Sequence, residues 1–165
     1  MRRSLMNCLL ETVRDNLRYT DRVAIFEVGR VYHPVGGETL PRELRRLGIS
    51  MTGPREAPSW LKKEMGSMDF FDLKGVIEIL LSKLGIGEWH LKPAESRTFH
   101  PGRAAQLITG KGEVGILGEV HPKVLDAFDL SQESGQPVCL AELDLEMLLE
   151  DAYLTGKLAP ISRFP

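Results

Sequence analysis

The sequence predicts an α+β fold: a mainly antiparallel sheet with helices packed on it. Three observations lead there. Two stretches, Leu5–Leu17 and Leu73–Leu84, set apolar residues at the spacing of one helical face. Between and after them lie runs with the composition of strands. Two of those runs are joined by only Gly110-Lys111-Gly112, a turn short enough to require antiparallel neighbours.

The first helix follows Ser4, whose hydroxyl can accept a free N–H of the first turn. Leu5, Met6, Leu9, Leu10, Val13 and Leu17 form a stripe roughly 140° wide, with Asn7, Glu11, Arg14, Asp15 and Arg18 on the other side. After Asp21 the period changes. Val23, Ala24, Ile25, Phe26 and Val28 are apolar on both faces, which predicts a central strand ending near Pro34. Val35-Gly36-Gly37-Glu38 is a loop. In Glu43–Gly53, Leu47, Ile49 and Met51 alternate with Arg46, Ser50 and Thr52, the pattern of a half-buried strand antiparallel to the one before.

Residues 54–68 read as a surface excursion, with Trp60 tucked in and a helical turn at Ser59–Glu64. Asp69 caps the second helix and Asp72 lies in its first turn. Leu73, Val76, Ile77, Leu80, Leu81 and Leu84 form its stripe, and Gly85 ends it. Glu88–Lys92 is a short strand with Trp89 and Leu91 inward. Ala104–Thr109 and Glu113–Val120 make the hairpin, and Pro122 opens a short helix bearing Val124, Leu125 and Phe128. Gln132–Gln136 is a turn and Val138–Leu143 a strand. Asp144 caps a last helix with Leu145, Leu148 and Leu149. Residues 1–152 thus form one domain. From Tyr153 the periodicity is lost, so 153–165 reads as a linker to a further domain.

The chain has 165 residues, 42% hydrophobic and 27% charged, enough for one core of its own. Its net charge of −2 argues against a domain that grips nucleic acid unaided. Cys8 and Cys139 read as buried small residues of a cytoplasmic protein. No apolar run approaches the ~18 residues of a membrane span, and the start is too soon polar for a signal peptide.

Five segments carry a resemblance. DRVAIFEVGRVY, after its leucine-rich helix, is similar to the β subunit of bacterial phenylalanyl-tRNA synthetase. DFFDLKGVIEILL, FHPGRAAQLI, GILGEVHP and the terminal PISRFP resemble it too, in the same order. The resemblance implies a class II aminoacyl-tRNA synthetase-like antiparallel β-sheet flanked by helices. It implies one interior domain of a larger subunit, in an α2β2 enzyme that joins phenylalanine to tRNA(Phe) using ATP and magnesium. The partners implied are the α subunit, which holds the active site, and tRNA(Phe) through the whole complex.

Amino-acid activation needs arginines on the ATP phosphates. Active members of the class carry one in a Phe-Arg-x-Glu motif on a strand pair and another at a helix start after a glycine-rich strand. Neither pattern is present. Gly115-Ile116-Leu117-Gly118-Glu119 leads into Val120-His121-Pro122, without arginine. What matches instead is the helix-then-strand motif at Leu5–Pro34, which in this class builds subunit interfaces. The resemblance thus makes the chain a non-catalytic assembly domain, with no catalytic, cofactor-binding or metal residue of its own. Leu5, Met6, Leu9, Leu10, Val13 and Leu17 are its expected interface. Leu5, Leu9 and Val13 would pack one way and Met6, Leu10 and Leu17 the other.

The alternative is a small-molecule enzyme using His100 or His121 as general base, with Glu119 and Arg103 nearby. No serine or cysteine stands in a strained turn to serve it, and both histidines precede proline. The structural reading has each ring N–H tying down a loop or helix start. His33, His90, His100 and His121 are too scattered for a metal site. Glu27, a carboxylate in an apolar strand, either takes a basic partner, for which Arg103 after its Pro-Gly turn is the candidate and Arg30 the other arginine near the core, or reaches the sheet edge and meets water.

Overall fold

The computed structural model describes residues 1–36, 40–56, 60, 66–130 and 136–153. The expected turn at Ser59–Glu64, the turn at Gln132–Gln136 and the linker beyond Tyr153 lie wholly or largely outside them. In chain order the elements are α1 (Met6–Leu17), β1 (Val23–His33), β2 (Arg42–Thr52), α2 (Phe70–Lys83), β3 (Trp89–Pro93), β4 (Phe99–Thr109), β5 (Gly112–Val120), α3 (Pro122–Ala127), β6 (Val138–Asp144) and α4 (Leu145–Asp151). The six strands form one sheet in the order β1-β2-β6-β5-β4-β3, antiparallel at every pairing.

The layers follow from the strand alternation. On one face Leu47, Ile49 and Met51 of β2, Cys139, Ala141 and Leu143 of β6, and Leu107 and Leu117 meet α2 through Leu73, Ile77 and Leu81, and α4 through Leu148. On the other, Leu5, Leu9, Leu10 and Val13 of α1 meet Val23, Val31, Leu140, Val120 and Phe99. β2 is therefore covered on both sides: Ser50 and Thr52, expected on a wet face, are buried. Their hydroxyls donate to the carbonyls of Cys139 and Pro137. Burial pushes the Cys139 thiol up to about 12, which keeps it protonated and unreactive.

Local chemistry sets the helix ends. Asp69 accepts from Phe71 N–H and Asp72 N–H, and the Asp72 carboxylate accepts back from Asp69 N–H at 2.8 Å, a reciprocal capping box. Gly85 follows α2 at φ +73°. Asp144 caps α4 through Met147 N–H. Ser4 stands one residue before the cap of α1, which is Leu5, yet its hydroxyl still accepts from Met6 N–H.

Three expectations are corrected. β1 is not central but an edge strand, paired with β2 alone among the described strands. Phe26 is 75% and Val28 54% exposed. Trp60, expected to be tucked in, is 92% exposed. The α1 stripe is not split between two partners: Leu5, Leu9, Leu10 and Val13 all turn into this chain's own core, Leu10 being 1% exposed. Met6 and Leu17 are the half-buried rim of that stripe.

The capping box gives a pH prediction. Arg55 holds the Asp72 carboxylate at 2.7 and 2.8 Å, which lowers its pKa below the ordinary 3.8. A carboxyl lowered on folding adds stability above its unfolded pKa and loses it as pH falls through the folded one. Arg55→Ala should therefore lower the melting temperature at pH 7, and the deficit should shrink below about pH 4. A deficit unchanged down to pH 2 would show that Arg55 acts by packing alone.

Candidate functional site

Glu27 does find a basic partner, but it is Arg2, at 2.7 Å, and not Arg103 or Arg30. The sheet order explains why Arg103 cannot serve: β2, β6 and β5 lie between β1 and β4, a separation of about 19 Å. Glu27 is only half-buried, so Glu27→Ala should cost about 1 kcal/mol or less, not the penalty of a dry charge. Arg2 was missed because nothing in the sequence shows the residues before α1 returning to β1. They do so through Arg2 C=O, which accepts from Tyr32 N–H at 2.9 Å, and through Arg2 Nε, which donates to Arg30 C=O.

The seat of α1 is built from β6. The Glu142 carboxylate accepts from Leu5 N–H at 2.6 Å and from the Ser4 hydroxyl. A carboxylate at the first turn of a helix also complements its dipole. The space above β2 and β1 is left by glycines: a Cβ at Gly48 would come within 2.6 Å of Leu9, and one at Gly29 would overlap Arg2. α1 therefore lies directly on β1, β2 and β6.

The arginines that might hold phosphates face carboxylates instead. Arg45 pairs with Glu146, Arg46 with Asp144, Arg30 with Glu43, and Arg103 with Glu119 at 2.5 Å. The glycine-rich strand also has a packing reason. A Cβ at Gly118 would press on the Arg103 carbonyl and Phe99, and one at Gly115 would overlap the Glu142 carbonyl. These glycines let β4 and β6 approach β5; they do not form a phosphate cradle.

His100 and His121 come together, rings stacked with centroids 6.3 Å apart, beside an open cavity of about 690 Å³ that Arg97 and Lys123 also line. One nitrogen of each ring has a structural duty. His121 Nδ1 accepts from Lys123 N–H and caps α3, so here the ring is acceptor and not the donor expected. His100 Nδ1 donates to the Pro101 carbonyl at 2.8 Å. Glu119, the carboxylate expected to orient a base, is engaged by Arg103. The general-base alternative finds no support in this geometry. Among the described residues no group of three or more His, Cys, Asp or Glu is placed to hold a metal ion.

What the sequence did not reveal is an apolar groove of about 470 Å³ on the far side of the sheet from α1. Ala24, Phe26 and Val28 of β1, Leu47, Ile49 and Met51 of β2, and Val76 and Leu80 of α2 line it. The signal was there, in the two-sided apolar run of β1, but it was read as burial by neighbouring strands.

A family model described as the phenylalanyl tRNA synthetase beta chain CLM domain matches residues 1–145. The phenylalanine–tRNA ligase beta subunit of Symbiobacterium thermophilum is 40% identical over 166 residues, covering 100% of this chain and 18% of that protein. The subunit of the same name from Syntrophotalea carbinolica is 40% identical over 167 residues, again 100% of this chain and 20% of that one. The Geobacter sulfurreducens subunit is 38% identical, with 100% and 20% covered. The chain thus spans about a fifth of the length of the curated relatives it matches. In fold it is similar to the crystal structure of pyrrolysyl-tRNA synthetase from Desulfitobacterium hafniense, with a TM-score of 0.65 at 22% identity, over 90% of this chain and 48% of that one.

Proposed function

The chain belongs to the phenylalanyl-tRNA synthetase β-chain family, as its CLM domain, and from that premise we propose that it is a non-catalytic assembly domain. The observation that carries this reading is the pairing of the sheet's arginines. A class II-like sheet is present, but α1 lies on β1, β2 and β6, and Arg45 and Arg46 of β2 and Arg103 of β4 are neutralised by this chain's own carboxylates. Arginines held in this way are not free to meet the transition-state charge on ATP.

In the whole enzyme, we infer, this domain supports the charging of tRNA(Phe) with phenylalanine by an α2β2 assembly in the cytoplasm. ATP and magnesium would be bound by the α subunit, and tRNA(Phe) would be met by the complex as a whole. The α1–β1 unit would be an anchor for the α subunit. Met6 and Leu17, at the rim of α1, are the part of the predicted interface stripe that a partner can still reach.

Capture on an immobilised α subunit tests the reading. The purified chain should be retained, and Met6→Lys with Leu17→Lys should weaken retention at least about tenfold while the melting temperature stays close to wild type. Retention unaffected by the pair would remove α1 from the interface, and no retention at all would contradict the assembly role.

A further inference from the structure

We propose that the cavity beside His100 and His121 is an anion site for a phosphate monoester, the terminal phosphate of a small phosphorylated molecule or of an RNA strand. This goes beyond the assembly reading above and is independent of it. The lining comes from the connection between β3 and β4, the start of β4 and the junction of β5 with α3, whereas β1 lies at the opposite edge of the sheet.

The FHPGR segment builds the cavity. Phe99 pairs with Val120 and Ala104 with Gly118, so the four residues from His100 to Arg103 stand against Glu119 alone. Pro101 has no N–H to give the ladder, and Gly102 adopts φ +77°. A bulge of this kind re-aims the side chains it carries. Here it brings the His100 ring onto that of His121. The other wall, residues 94–97, is tied down on both sides. Ala94 N–H donates to Ala104 C=O at 3.1 Å, and His121 N–H donates to Thr98 C=O at 2.9 Å. Thr98 N–H also donates to the Ser96 hydroxyl.

The charge here runs against that of the chain. The net charge is −2, yet Arg97 and Lys123 line this cavity, with Glu95 the one carboxylate among the described lining residues. Arginines of β2 and β4 are paired with carboxylates of this chain. Among the described residues Arg97 and Lys123 enter no ion pair, and both are exposed. His121 adds a further donor. Its Nδ1 accepts from Lys123 N–H, so the proton of the neutral ring sits on Nε2. α3 itself contributes no anion site: it has six residues, and its Lys123 N–H is already taken by His121.

The donor set selects the ligand. A guanidinium fork, an ammonium and an imidazole N–H suit an anion with several oxygens to share. A phosphate monoester presents three terminal oxygens, whereas a carboxylate or a backbone phosphodiester presents two. The cavity, of about 690 Å³, lies within the ~300–1,000 Å³ of sites that hold small organic molecules, so it has room for the esterified group as well. Ala94, Phe99 and Pro101 give that group an apolar surface to cover.

Nuclear magnetic resonance titration of the chain with adenosine monophosphate, at fixed pH and ionic strength, tests this. Saturable shifts are expected at the imidazoles of His100 and His121 and at the Gly102 amide, and none with adenosine. Arg97→Gln with Lys123→Gln should weaken binding at least about tenfold, with the melting temperature close to wild type because both side chains are exposed. Lys111→Gln, an exposed change outside the cavity, should leave binding as it is. A short RNA with a terminal phosphate, and the same RNA without it, separate the two sources. Tighter binding of the phosphorylated RNA than of adenosine monophosphate identifies a strand end, and weaker binding identifies a small molecule. Equal binding of the RNA with and without its terminal phosphate would make the backbone the ligand and overturn the proposal. So would the absence of saturable shifts with either phosphorylated probe, or binding undiminished in the double variant.

Discussion

Leu10→Lys should unfold the chain. Leu10 lies on the underside of α1 at 1% exposure, in the cluster that joins α1 to Val23, Val31, Phe99 and Leu140. Lysine there must either bury an ammonium without a partner or lift α1 from the sheet. The side chains it packs with in that cluster are apolar and cannot stabilise the charge. Loss of the packing and desolvation of the charge together cost at least about 4 kcal/mol. That is a large share of the 5–15 kcal/mol by which domains are ordinarily stable. Met6→Lys makes the contrast. Met6 is half-buried at the rim, so a lysine stem can follow its path and keep the charge in water, at about 1 kcal/mol. Thermal unfolding of the two variants decides the matter. Similar losses for both would mean that α1 is held more loosely than its burial indicates.

The second large effect is expected at Gly115→Val. Gly115 sits in β5 opposite Leu143 of β6, where a Cβ would overlap the Glu142 carbonyl and press on the Leu143 Cα. Both obstacles are backbone of a central strand, so no side chain can rotate aside. Relief requires β5 and β6 to separate. That breaks the ladder at the middle of the sheet and moves Glu142 away from the start of α1. The expected cost is on the order of 3–5 kcal/mol. Gly87→Val is the control, since a Cβ there meets nothing within 4 Å. A Gly115→Val chain that melts within a few degrees of wild type would show that the strands can part at this point.

The elements were legible where one local signal sufficed. Asp69 and Asp72 announced the start of α2, Gly110-Lys111-Gly112 the hairpin, Asp144 the last helix, and each stands where the spacing put it. Strand position in the sheet was not legible. β1 carries apolar residues on both faces and was read as central, yet it is an edge, because the pattern records burial and not what does the burying. The same limit hid Arg2. Its link to Glu27 depends on the chain before α1 folding back along β1, and no periodicity reports that return. For the candidate site, the missing activation motifs were visible at once, whereas the seating of α1 on β1, β2 and β6 is a matter of packing. The glycines of β5 show the difference. In the sequence they were the nearest thing to a ligand-binding strand, and in the fold they are points of close backbone approach.

The most direct test of the central claim is phenylalanine-dependent ATP–pyrophosphate exchange, measured on the purified chain and beside it on an intact phenylalanine–tRNA ligase. With both activation motifs missing and Arg45, Arg46 and Arg103 paired, the chain should give no exchange above a phenylalanine-free blank, at any magnesium concentration that supports the intact enzyme. Exchange that rises with chain concentration and vanishes without phenylalanine would place an active site in this domain and contradict the account.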